Sequence, residues 1–371
     1  MIVNLIIICF ILISGLMFYE DAGVYANSRY FRKRYIILIC LILILQSGLR
    51  NVAVGNDTYG YYESFELLKS TSWEEIWSAI KDYYSPGLGK DVGYLVFEKT
   101  VQVFIKSYQI YLFVIAILFF SALGHFIYKN TKKLADAIFA FVLYLSLFYA
   151  FFSITGIRQT IATSATLFGF ELIKQRKLIP FLLLILIAST IHKSSLIFIP
   201  FYFIANLKNT KIIFGSTLFF FPFVFVFKNA VNNFLKEAGG YDQYDFFEGA
   251  GTYTFTFVLL IVAIVAFWRI KPSLMHNRNA KPFYNAFALA IFLTPLTFIN
   301  PSSMRVVQYF SIFLLLLLPI VIQSFQSISL KMRRTVFGVA IFLLLALSIK
   351  GNWNSEYKFF WQQMELGDNY K

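Results

Sequence analysis

Three arginines stand where apolar runs of the sequence end or begin. Arg50 closes one run, Arg158 follows Gly156 and Ile157 at the start of a second, and Arg305 follows Met304 at the start of a third. A guanidinium in such a place is costly and usually has a task. The plain task is to reach lipid headgroups along its own apolar stem. The chemical task is to hold phosphate oxygens in its planar fork, which makes a lipid phosphate or pyrophosphate the natural ligand. His192, followed by Lys193, is an imidazole at the end of another apolar run. It titrates near neutrality and could take a proton from a hydroxyl. Asp57, in Gly55-Asn56-Asp57, is a second candidate base and also reads as a turn residue. The sequence has no HExxH, no paired cysteines, no P-loop and no GxGxxG or GxSxG. Metal hydrolysis, ATP hydrolysis and nicotinamide chemistry therefore have no motif behind them, and no cofactor is expected.

The elements that must position these residues are membrane helices. Of 371 residues, 58% are hydrophobic and 14% charged, where soluble domains carry roughly 25% charged residues. Apolar runs of nearly spanning length recur throughout, and runs of that kind cross lipid as helices. The expected fold is all-α, a polytopic transmembrane helix bundle forming a single integral membrane domain over residues 1–371. About twelve spans are expected: Ile2–Tyr19, Tyr35–Leu49, Tyr108–Tyr128, Leu134–Phe152, Gly156–Ile173, Leu178–His192, Ser195–Leu207, Ile212–Phe227, Tyr253–Trp268, Pro282–Asn300, Met304–Ile322 and Val336–Ile349. Ser195–Leu207 is short and also reads as re-entrant. The first span lacks a basic lead and a small-residue cleavage site, so it is expected to stay as a helix. Cys9 and Cys40 fall inside spans and read as buried small hydrophobes rather than a disulfide.

Charge then orients the bundle. One alternating set of loops holds 19 of the 33 Lys and Arg residues and four of the 19 acids; the other holds 14 and 15. The basic set is expected to face the cytoplasm, which puts both termini outside. The net charge of +14 lies mainly in short turns, so a nucleic-acid partner is not expected. In this topology Arg158 and His192 emerge on one side of a hairpin whose basic turn, Lys174-Gln175-Arg176-Lys177, lies on the other. His125 and His276 fall towards the inner face and read as structural.

Three long segments are expected outside: 50–107, 228–252 and the tail 350–371. In the first, Ser72-Trp73-Glu74-Glu75 forms a capping box for a helix carrying Trp73, Ile76, Trp77, Ile80 and Tyr84, stopped at Ser85-Pro86-Gly87. That helix either lies in the membrane interface or packs on the bundle as a lid. The aromatic, acidic and amide residues of the other two, including Trp353, Tyr357 and Trp361, suit sugar rings and equally suit wet interfacial loops.

Five stretches, in order along the chain, resemble the EpsG family of Wzy-type polysaccharide polymerases. They are RNVAVGNDTYGYY from Arg50, GYLVFEKTVQVF from Gly93, GIRQTIA from Gly156, ASTIHKSSLIFIP from Ala188 and MRVVQYF from Met304. Segments 228–252 and 350–371 carry none of these matches. The resemblance implies a glycosyltransferase in the bacterial plasma membrane, active on its outer face without a metal. It would transfer a growing glycan from undecaprenyl pyrophosphate to a lipid-linked repeat unit. Its partners would be that undecaprenyl-pyrophosphate-linked oligosaccharide, membrane lipids, a chain-length regulator and a flippase. On this resemblance Arg158, Arg305 and Arg50 hold the pyrophosphate, His192 or Asp57 serves as base, and Gln159, Lys193 and Tyr309 bind substrate. A glycan ligase would use the same donor with another acceptor. A flippase would place charges near mid-span in broken helices, whereas here they stand at span ends.

Overall fold

The structure is a computed structural model that describes residues 2–22, 29–55, 57–83, 91–230, 233, 253–298, 303–351 and 357–363. Apolar runs become helices because a helix satisfies its own backbone groups while burying or exposing apolar side chains on every face. The order is α1 (Ile2–Ala22), α2 (Arg29–Gly48), α3 (Thr58–Ser70), α4 (Trp73–Tyr83), α5 (Val92–Phe104), α6 (Tyr108–Asn130), α7 (Leu134–Leu147), α8 (Ile157–Lys174) and α9 (Leu178–Ile191). Then come α10 (Phe201–Ile204), α11 (Thr210–Val226), α12 (Tyr253–Trp268), α13 (Ile270–His276), α14 (Lys281–Leu293), α15 (Met304–Ser311), α16 (Leu314–Ser324) and α17 (Leu330–Gly351).

Among the described residues, each expected span falls on one helix or on consecutive helical pieces; Asn300, the expected end of one span, lies outside them. By length and composition, Tyr108–Asn130 and Leu330–Ile349 can each cross a membrane alone. Two more candidates arise if bent pairs count as single spans: α12 with α13, bent by 70°, and α15 with α16, bent by 50°. Ser195–Leu207 is broken, a 3-10 helix at Lys193–Phe198 followed by the one-turn α10.

The chain divides into two compact units, Met1–Leu196 with Ile341–Lys371, and Ile197–Ala340. In the first, α2 and α6 meet closely where Gly124 faces Cys40; a Cβ there would lie 2.7 Å from Cys40 Sγ. Tyr35 on α2 donates its hydroxyl to Ile11 O of α1 at 3.0 Å. The guanidinium of Arg32, buried, donates to the carbonyls of Lys132 and Tyr128 and so fastens α2 to the end of α6. Cys40 is buried, but Cys9 is exposed, contrary to its expected burial, because it points away from the bundle on α1.

The capping box forms: Ser72 N donates to Glu75 Oε2 at 2.6 Å and Glu75 N to Ser72 Oγ at 3.2 Å. Helix α4 then buries Ile76 and leaves Trp73 and Trp77 exposed. Ser85-Pro86-Gly87, Trp353 and nearly all of 231–252 lie outside the described residues. A short strap, residues 357–363, returns to the end of α2. Asn51 N donates to Lys358 O and Phe360 N to Leu49 O, each at 2.9 Å, around an isolated antiparallel bridge between Arg50 and Phe359.

In the second unit, α11, α12 and α14 share a core of Phe214, Phe267, Tyr284 and Phe287. Arg269 is buried and donates to Ser324 O at 2.5 Å, joining the α12–α13 bend to α16. Asn285 Nδ2 donates to Ile204 O at 2.9 Å and Ala205 O at 3.1 Å, serving carbonyls at the end of α10.

Candidate functional site

Arg158 is delivered by a widened turn. Between α7 and α8 the chain forms a π-helix at Ala150–Thr155, a geometry that recurs at functional positions. Its loosened carbonyls are taken up by neighbours. Ser47 Oγ donates to Ser153 O at 2.7 Å, Arg50 Nη2 to Ile154 O at 3.1 Å and Thr160 Oγ1 to Phe152 O at 3.0 Å. Gly156 then caps α8, and Arg158 is its second residue.

The guanidinium meets a carboxylate that the sequence did not single out. Arg158 Nη1 lies 2.7 Å from Asp91 Oδ2, and Arg158 Nε donates to the Tyr61 hydroxyl at 3.2 Å. His192 Nδ1 lies 3.5 Å from the same Asp91 oxygen, within ion-pair reach but long for a formed hydrogen bond. The Lys193 backbone amide donates to Asp91 Oδ1 at 3.4 Å. His192 is 8% exposed, and its Nε2 is buried with no hydrogen-bond partner among the described residues. One carboxylate thus lies within ion-pair reach of a cation and an imidazole, and neither ring nitrogen has a hydrogen-bond partner among the described residues.

Local backbone geometry explains why Asp91 does this. It precedes α5 with φ 59°, left-handed, and makes no side-chain cap bond to its own helix. An aspartate at that position ordinarily caps. Here the side chain turns instead to α8 and to the end of α9. Two residues on, Gly93 lets α5 lie against α9: a Cβ would fall 2.6 Å from Thr190 Cβ and 2.7 Å from the Thr190 carbonyl carbon. Burial alone would raise the Asp91 carboxyl, but His192, Arg158 and the Lys193 amide outweigh it and hold it below the ordinary carboxylate range.

Behind this cluster lies a tyrosine-rich core. Tyr61 and Tyr94 meet edge to face at 6.0 Å, and Tyr94 packs with Phe65, Tyr108, Tyr111 and Ile157. Tyr94 donates to Glu98 Oε1 at 3.1 Å and receives the Tyr111 hydroxyl at 3.2 Å. Glu98 is fully buried, and burial pushes its carboxyl up to about 7 against the opposing pull of Tyr94 and Arg158.

The expected site residues are distributed as follows. Arg158, His192 and the Lys193 backbone come together at Asp91. Arg50 is placed differently: it is 3% exposed, and its Nη1 donates to Ser47 O at 2.7 Å while Nη2 takes Ile154 O. It braces the turn that carries Arg158. Asp57 is exposed at the start of α3, with φ 65°, and its carbonyl receives Tyr61 N. No contact joins its side chain to Asp91 or His192 among the described residues. Gln159 is buried on α8, and the Lys193 side chain is exposed. In the second unit Arg305 is half-buried in the first turn of α15, and Tyr309, one turn on, is fully buried.

Asp91 and Glu98 were both missed. Both flank or lie within the GYLVFEKTVQVF stretch, and acids in an otherwise aromatic and apolar segment are the signal that could have found them. No curated protein and no solved structure shows significant similarity to the chain. The EpsG family profile matches residues 33–363, which takes in 228–252 and the strap as well as the five stretches quoted above. With that match running through nearly all of the helices and the Arg158–Asp91–His192 cluster, the chain belongs to the EpsG family.

Proposed function

We propose that this membrane protein is a polysaccharide polymerase that joins glycans carried on undecaprenyl pyrophosphate, on the outer face of the bacterial plasma membrane. Family membership supports the polymerase-type role. The observation that carries the chemical reading is the single Asp91 carboxylate shared by Arg158 and His192.

In this reading the acceptor sugar hydroxyl attacks the anomeric carbon of the donor glycan. Its proton passes to His192 Nε2; neither ring nitrogen is hydrogen-bonded among the described residues, and Nδ1 is the one within ion-pair reach of Asp91. Asp91 orients the imidazole through Nδ1 and stabilises the imidazolium as it forms. The anomeric C–O bond to pyrophosphate breaks, and the leaving group takes the electron pair. Arg158 neutralises that developing charge. Its link to Asp91 holds the fork ready until phosphate oxygens compete for it. Arg305 carries the same phosphate-binding chemistry, proposed on its residue type and span-end position. Arg50 acts as a brace for the turn before Arg158. Asp57 is the alternative base, and it is exposed rather than held by partners.

The test is deletion of the gene followed by analysis of lipid-linked glycans. Accumulated single repeat units on the outer face support a polymerase. Accumulated polymer points to a ligase, and repeat units trapped inside point to a flippase; either result would overturn the proposal.

A further inference from the structure

Glu98 is used by no step above, yet it is the most deeply enclosed carboxyl near Arg158. It lies on α5 at 0% exposure, with Oε1 taking the Tyr94 hydroxyl and Oε2 buried without a partner among the described residues. Two tyrosines connect it to the site. Tyr94 meets the Tyr61 ring, and Tyr61 receives Arg158 Nε. No lysine or arginine contacts the Glu98 carboxyl among the described residues, so its charged form is favoured by the Tyr94 hydroxyl and by the more distant pull of Arg158 alone.

We propose that Glu98 is a positioning residue whose neutral carboxylic acid keeps Arg158 available to a phosphate anion, and whose ionised form turns the site against such anions. This rests on Arg158 being the phosphate-binding group. Neutral, Glu98 accepts from Tyr94 and leaves Asp91 as the one carboxylate competing for Arg158. Ionised, it adds a second negative charge beneath the same guanidinium, across a low-dielectric aromatic layer. The carboxyl's midpoint near pH 7 puts the change within reach of ordinary conditions.

The titratable groups around Glu98 can be separated. Tyr94 on its own helix, Tyr108 and Tyr111 on α6, and Tyr61 on α3 face it through the core. Lys99 is turned away to Leu68 O, and α9 carries no titratable residue. The described acids and lysine of α4, Glu74, Glu75 and Lys81, are exposed, as are Glu63 and Lys69 of α3. His192 and Asp91 act on Arg158 directly, so their contribution is common to wild type and to Glu98 variants.

The probe is a farnesyl-pyrophosphate-linked N-acetylglucosamine, a diester whose own charge is constant from pH 5 to 9. Its binding to the full-length protein in detergent is measured across that range for wild type, Glu98→Gln, Tyr94→Phe and Arg158→Gln. Wild-type affinity is expected to fall about tenfold between pH 6 and 8. Glu98→Gln should lose most of that fall, a change that a purely structural role would not produce. Tyr94→Phe removes the donor that favours the carboxylate, so the fall should move to higher pH; this variant serves if Glu98→Gln does not fold. Binding that depends on Arg158 but has the same pH profile in wild type and both Glu98-network variants overturns this inference and leaves the polymerase reading standing. Binding that is absent in wild type, or indifferent to Arg158→Gln, overturns both.

Discussion

Asp91 Oδ2 stands 2.7 Å from Arg158 Nη1 and 3.5 Å from His192 Nδ1, so one oxygen serves the end of one helix hairpin from both sides. The pair with Arg158 is partly shielded, with side-chain exposures of 29% and 11%. The acid leaves its capping position and ties α5 to the start of α8 and the end of α9.

Asp91→Asn keeps the shape and removes the charge. Lipid-linked glycan analysis should show polymer formation reduced by about 100-fold or more, the scale of losing an oriented base. The pH dependence follows from the lowered carboxyl. Stability that Asp91 adds is present above the ordinary carboxylate midpoint, about 4, and is lost as pH falls through its lower folded value. Thermal unfolding in detergent should show that the variant lacks this acid-side loss.

Arg158→Lys retains a positive charge without the planar fork. Long polymer should fall by roughly 100-fold, as when one stabilising donor of a developing anion is removed, while single lipid-linked units persist at normal protein level. Arg305→Ala should give the same pattern. Wild-type chain length in either variant would remove that arginine from the pyrophosphate role.

Gly93→Ala should separate α5 from α9. The new methyl meets Thr190 side chain and backbone together, so a rotamer change cannot relieve it, and overpacking of this kind costs about 1–3 kcal/mol. Reduced polymer with a lowered unfolding temperature is expected. Adding Thr190→Ala should recover only part of both, because the Thr190 backbone carbon remains.

Glu98 has a stability signature of opposite sign to Asp91. Its folded midpoint, about 7, lies above the ordinary glutamate value of 4.5. The folded state then holds the proton more tightly, and stability falls as pH rises from about 4.5 towards 7. The full difference is of order 3 kcal/mol at about 1.4 kcal/mol per pH unit. Glu98→Gln should flatten that decline in unfolding measurements between pH 5 and 8.

The helices were legible because apolar runs and basic turns repeat along the chain, and α12 begins and ends at the residues expected, Tyr253 and Trp268. The meeting of Arg158 with His192 was legible too, since a hairpin with a basic turn returns its ends to one side. Asp91 was not, because an aspartate before a helix looks like a cap until its left-handed backbone and turned side chain are seen. Arg50 looked like a ligand for the same reason that Arg158 did. Its enclosure depends on Tyr357, whose hydroxyl donates to Gln46 O at 2.5 Å, and on strap residues that no local pattern connects to α2.

The strap also sets an order of assembly. Asn51 and Gln362 are joined through Asn51 Nδ2 and Gln362 O although 311 positions separate them. Closing so wide a gap carries an entropic cost and cannot begin until the late residues have been made. The rim that carries Arg50 therefore stays unlatched through most of synthesis, and a nascent chain stalled before Tyr357 would hold its helices without fastening that edge.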